Sequence, residues 1–150
     1  MARIVVGIDG SEDSRDALRW AGQEAELRDA TLQIVHTWPR PYRVSGPTTQ
    51  LGPSFDVPPE EAERHAAEKL VEDELDATGV DATGVRIETE LREGDPADTL
   101  LAAAREADLL VIGSSRHGGL PLRLGEVARR CIEHAPCPVM VVRTGQSPSS

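Results

Sequence analysis

Five short apolar runs punctuate this chain, and each gap between them carries helical spacing or the start of a helix. Arg3–Ile8 is nearly all apolar, as a central strand covered on both faces must be. Thr31–Thr37, Val85–Leu91, Leu109–Ile112 and Val139–Val142 read as further strands. Between them, Ala17, Leu18, Ala21 and Ala25 give one helical face. Ala62, Ala66, Leu70 and Leu75 give a second, on a helix predicted from Pro59 to about Thr78. Ala97, Leu100, Leu101, Ala104 and Ala107 give a third. Leu124, Val127, Ala128, Cys131, Ile132 and Ala135 give a fourth. The order βαβαβαβαβ predicts an α/β fold, a doubly wound five-stranded parallel sheet with helices on both faces. At 150 residues this is one domain, expected over 1–143. Six of the eleven prolines fall in Pro39–Pro59, so residues 39–58 are expected to be a long flexible loop. Residues 144–150 are expected to be a disordered tail.

The segment Gly113-Ser114-Ser115-Arg116-His117-Gly118-Gly119 leaves the fourth predicted strand and leads towards the fourth helix. Open α/β sheets hold anionic ligands at the carboxyl ends of their strands. Glycine lets the backbone approach a phosphate, and a helix start offers unpaired N–H groups. Asp9-Gly10-Ser11 follows the first strand at the same end of the sheet, with Ser11 as N-cap and Glu12 and Asp13 where a helix dipole favours acids. Asp9 can serve either as a ligand to a nucleotide or as an ordinary turn residue, and the two roles are compatible.

The net charge of −10 argues against a nucleic-acid backbone as partner but leaves small anions open. Apolar runs of four or five residues cannot span a membrane, and the first residues lack the pattern of a secretory leader, so a cytoplasmic location is expected. Cys131 and Cys137 are then expected to be reduced. With His134 they make only three candidate ligands, one on a buried helix face, which disfavours zinc. His36 is expected to be packed and hydrogen-bonded, His65 to lie on the surface, and His117 to be a solvated loop residue or a ligand contact. Trp20 and Trp38 read as packing residues.

Three stretches carry a family resemblance: Ile4-Val5-Val6-Gly7-Ile8-Asp9-Gly10-Ser11, then Gly113-Ser114 with Gly118-Gly119, and His134-Ala135-Pro136-Cys137-Pro138-Val139-Met140-Val141-Val142. With this topology the chain resembles the universal stress protein family over nearly its whole length. The resemblance implies a flavodoxin-like sheet of order 3-2-1-4-5 and, as in some members, a site for ATP. It would put Gly7, Ile8 and Asp9 beside the adenosine and Thr37 beside the base. Gly113, Gly118 and Gly119 would cradle the phosphates, with Ser114, Arg116 and His117 in the same ligand-binding loop. Gly125, Glu126 and Val127 would close the phosphate end. It also implies a homodimer formed by antiparallel pairing of the Val139–Val142 strand, whose apolar edge invites such a partner.

The chain departs from the pattern of ATP-binding members, which runs Gly, two residues, Gly, nine residues, Gly, then Ser or Thr. Arg116 replaces the second glycine, Gly125 comes one residue early, and Glu126 replaces the hydroxyl. A carboxylate cannot donate to phosphate as serine can. Arg116, Arg123 or a magnesium ion could offset it. Two readings stay open. One is a dimeric stress-response sensor that binds an adenine nucleotide. The other is a nucleotide-free interaction module of the same family, with Glu126 blocking the phosphate site. No Gly-Lys-Ser/Thr step or catalytic base is evident, so slow ATP hydrolysis is the most that is expected.

Overall fold

The computed structural model describes residues 2–39, 60–114, 124–143, 145, 146 and 148. Its elements in chain order are β1 (Arg3–Gly7), α1 (Glu12–Arg28), β2 (Thr31–Trp38), α2 (Glu60–Thr78), a 3-10 turn over Val80–Thr83, β3 (Ile87–Glu93), α3 (Pro96–Ala104), β4 (Leu109–Gly113), α4 (Glu126–His134) and β5 (Val139–Val142). The five strands form one sheet of order β3-β2-β1-β4-β5, every neighbouring pair parallel. The expected 39–58 loop lies almost wholly outside the described residues.

Two apolar layers sandwich the sheet. Ile4, Val6, Leu32, Ile34 and Val111 point to one face, where Ala17, Leu18, Ala21 and Ala25 of α1 meet them. Val5, Val35, Leu110 and Ile112 point to the other, against Leu100 and Ala104 of α3 and Ala128 and Cys131 of α4. Strands β1 and β4 are buried on both sides, which is why they read as unbroken apolar runs.

The second face is roofed unevenly. Where β2 meets β3 it carries a ladder of polar side chains. Arg3 Nη1 donates to Gln33 Oε1 at 3.0 Å and to Glu88 Oε2 at 2.6 Å. Gln33 Nε2 donates to Glu90 Oε2 at 3.1 Å, and Arg92 pairs with Glu90 at 2.9 Å. Thus β3 alternates where β1 does not.

Four expectations need correction. On α2 the buried stripe is Ala67, Val71 and Glu74, with Leu70 and Leu75 partly buried; Ala62 and Ala66 are exposed. Alanines on several faces made that stripe ambiguous, and the buried Glu74 broke it. Glu74 is matched by Arg15 of α1, whose Nε and Nη2 donate to its two oxygens at 2.9 and 3.2 Å. Strand β3 spans Ile87–Glu93 rather than Val85–Leu91, because Gly79 and Gly84, both left-handed, bracket a 3-10 turn ahead of it. On α4, Leu124 and Ile132 are exposed, and the contact is made by Val127, Ala128, Cys131 and Ala135. In the tail, Gly145 and Gln146 are hydrogen-bonded to α1 rather than disordered.

Candidate functional site

Sheet order reverses between β1 and β4, and at the carboxyl ends of those strands the chain leaves a cleft of about 360 Å³. Gly7, Ile8 and Asp9 form one wall with Val35 and Thr37 of β2. Ile112 and Gly113 of β4 lie across from them, and Gly125, Glu126, Val127 and Ala128 close the far side. Pro96 and Leu100 of α3 and Ser11, Asp13 and Ser14 of α1 complete the described lining.

The Asp9 turn is built from local hydrogen bonds. The Ser11 amide donates to Asp9 Oδ1 at 2.9 Å, and the Asp9 amide donates to Ser14 Oγ at 3.2 Å. Gly10 adopts φ +85°, which a side chain would resist. Ser11 N-caps α1 by accepting from the Ser14 amide at 3.3 Å, as its position predicted. So Asp9 fills its turn role while lining the cleft.

α4 begins differently. Its N-cap is Gly125, which offers no side-chain acceptor. The first-turn amides of α4, on residues that line the cleft, therefore lack the side-chain cap that α1 has. The loop stem is held by main-chain bonds: Ser114 donates to the Val142 carbonyl at 2.9 Å, and Gly125 to the Ser114 carbonyl at 3.1 Å. The start of α3 is fixed to α4 by Arg130, which bonds both the N-cap Asp95 and Asp98. Asp98 first, then Asp95, raise the Arg130 guanidinium above its ordinary value.

Gly113 has a role the sequence did not disclose. A Cβ there would sit 2.5 Å from Asp13 Oδ2 and 3.0 Å from the Asp13 main-chain carbon. The close approach that this glycine permits in the described structure is that of α1. Asp13 is 1% exposed, and its Oδ1 lies 2.7 Å from Ser11 Oγ. In sequence it looked like a dipole-favoured acid in a first turn. Its meeting with a residue one hundred positions away leaves no local trace.

Of the expected site residues, Gly7, Ile8, Asp9, Thr37, Gly113, Gly125, Glu126 and Val127 come together around the cleft, and Ser114 lies in the adjoining stem. Arg116, His117, Gly118 and Gly119 lie outside the described residues, as does Arg123. Sequence reading passed over Asp13, Ser14, Val35, Pro96, Leu100 and Ile112 as cleft residues. Glu126 is exposed in the first turn of α4, where an acid suits the dipole. Asp9, Asp13 and Glu126 give the described lining three carboxylates, with no lysine or arginine among those lining residues.

The remaining candidates are structural. His36 Nδ1 lies 2.8 Å from the Ile8 carbonyl oxygen and supports the β1 end. Trp38 is buried, with the Arg64 guanidinium 5.8 Å from its ring centre. His65 is exposed. Among the described residues no group of three or more His, Cys, Asp and Glu side chains is arranged to hold a metal. Burial pushes the Cys131 thiol up to about 11 and raises that of Cys137 too, so neither is a ready nucleophile.

Fold and cleft together define a flavodoxin-like α/β protein with a cleft at its switch point. The universal stress protein family model matches residues 1–143, and the chain belongs to that family. It is 33% identical to a universal stress protein of Thermus aquaticus, over 93% of this chain and 97% of that one. It is 34% identical to one of Mycolicibacterium smegmatis, over 93% of this chain but 47% of that protein. The chain thus spans about half the length of the first curated relatives it matches. Among solved structures, a Lactobacillus plantarum universal stress protein superposes with a TM-score of 0.75 at 23% identity, covering 95% of this chain and 97% of that one. A universal stress protein in complex with cAMP superposes at 0.68 with 28% identity, over 96% of this chain and 98% of that one. One from Archaeoglobus fulgidus in complex with dAMP also superposes at 0.68, with 25% identity over 95% of this chain and 98% of that one.

Proposed function

We propose that the switch-point cleft binds an adenine nucleotide and that the protein acts as a dimeric cytoplasmic sensor whose occupied state is read by a protein partner. The observation that carries this reading is the start of α4. A first turn without a side-chain cap opens onto a cleft whose other walls, Ile8, Val35, Leu100 and Ile112, are apolar enough to take a base. The two relatives solved with cAMP and dAMP support the same ligand class. In this reading one phosphate sits at α4. Further phosphates of ATP would come towards Asp9, Asp13 and Glu126, so ATP would need Mg2+ to screen them. Binding would change the surface that a partner meets at the mouth of the cleft.

Titration calorimetry with AMP and with ATP, with and without Mg2+, tests the reading. The expected result is AMP binding with or without Mg2+, and ATP binding weaker by about tenfold unless Mg2+ is present. The three carboxylates favour one competing reading, a nucleotide-free interaction module closed by Glu126. No heat with either nucleotide, and no nucleotide released when the purified protein is denatured, would establish that module instead.

The dimer is proposed through β5. It lies at the sheet edge, four residues long, with Val139, Met140 and Val141 only half-buried. Sedimentation at low micromolar concentration should show a dimer, and Val141→Pro should convert it to monomer by removing an edge donor. A monomeric wild type would remove this part of the proposal.

A further inference from the structure

α1 carries a buried carboxylate outside the cleft. Asp16 is 4% exposed. Its Oδ1 accepts from Arg19 Nη1 at 2.8 Å, and its Oδ2 accepts from the main-chain amide of Gly145 at 3.1 Å. One turn further along α1, Trp20 Nε1 donates to the Gln146 carbonyl at 2.6 Å. Between these contacts the chain closes on itself. The Gln146 amide donates to the Arg143 carbonyl at 3.1 Å, and the Arg143 amide donates to Gln146 Oε1 at 3.2 Å. Gly145 takes φ +85°, which permits the reversal.

This closed turn begins one residue after Val142, whose carbonyl receives the Ser114 amide at 2.9 Å. The Ser114 carbonyl in turn receives the amide of Gly125, the N-cap of α4. Within one chain β5 is a four-residue strand paired on one side only, so its end is prone to fray. The bond from a main-chain amide to a buried carboxylate is of the charge-assisted kind that resists it.

We infer that Arg143, Gly145 and Gln146 form a strap that ties the end of β5 to Asp16 and Trp20 of α1, and thereby holds the hydrogen-bonded pair Ser114 and Gly125 beside the cleft. Its effect on ligand affinity rests on the nucleotide reading above; its effect on the stem does not. Loosening the strap releases Val142, then Ser114, and leaves the start of α4 less firmly placed.

Two variants test this in the full chain. Gly145→Pro removes the donor to Asp16 and cannot reach the left-handed φ. Trp20→Phe keeps an aromatic side chain against the core but loses the pyrrole part of the indole, and with it the donor to Gln146. Amide exchange at Ser114 and Gly125 should quicken by about tenfold in both, while the Ile8 amide, bonded to the Val35 carbonyl at 3.0 Å, should keep its wild-type rate. Unchanged exchange at Ser114 and Gly125 would overturn the strap. So would uniform quickening that includes Ile8, since that reports general destabilisation. If the wild type binds AMP, both variants should bind about fivefold more weakly. If it does not, the nucleotide reading fails, and the exchange rates alone decide the strap.

Discussion

Replacing Gly113 by alanine should cost about 2–3 kcal/mol of stability, a fall in melting temperature of roughly 4–12 °C. The new Cβ would lie 2.5 Å from Asp13 Oδ2, and the Asp13 side chain could turn away from it. It would also lie 3.0 Å from the Asp13 main-chain carbon, and that atom belongs to the buried first turn of α1. Relief then requires α1 to shift off β4, against the packing of Ala17 and Leu18. Adding Asp13→Ala should recover part of the loss but not all, because the main-chain contact stays. Calorimetric melting of the wild type and the two variants decides the matter. A single variant that melts with the wild type would show that α1 does not press on Gly113. The same substitution should abolish binding in the proposed nucleotide site, since Gly113 and the start of α1 both line it.

Removing Arg15 should be of similar size, about 3 kcal/mol, for an electrostatic reason. The Glu74 side chain is 5% exposed while that of Arg15 is 40% exposed. Truncating the arginine leaves a buried carboxylate without its bidentate partner, whereas truncating both members leaves an apolar gap. Arg15→Met should therefore lower the urea midpoint sharply, and Arg15→Met with Glu74→Leu should restore most of it. Glu74 in turn holds the Arg15 guanidinium above its ordinary value, chiefly by hydrogen bonding. If the double variant is no more stable than Arg15→Met alone, the pair is not what docks α2.

Much of the architecture was legible because the sheet is parallel. Buried on both faces, β1 and β4 had to be apolar throughout, and Ile4-Val5-Val6 and Leu109-Leu110-Val111-Ile112 announce that directly. The strand order rested on the family resemblance, and the sheet bears it out. Helix α1 was readable because its four apolar contacts sit in consecutive turns. The span of α2 was readable too, but its buried face was not, because that stripe is interrupted by a glutamate whose partner is 59 residues away. Position in the fold explains what could be read of the cleft. Any residue just past β1 or β4 must lie near the switch point, so Asp9 and Gly113 were found. Val35, Leu100 and Ile112 reach the cleft from strands and a helix where they look like ordinary core. The tail misled for a related reason. Gly145 and Gln146 look solvated, and nothing nearby in sequence reveals that Asp16 and Trp20 receive them.

The polar ladder of Arg3, Gln33, Glu88 and Glu90 sets a mechanical gradient across the sheet. One flank of the molecule is sealed by apolar packing on both sides, while the flank bearing β3 is closed on one side by ion pairs that water and salt can replace. Thermal agitation should therefore loosen β3 before it reaches the β1–β4 seam, so that the cleft rests on the most durable part of the sheet.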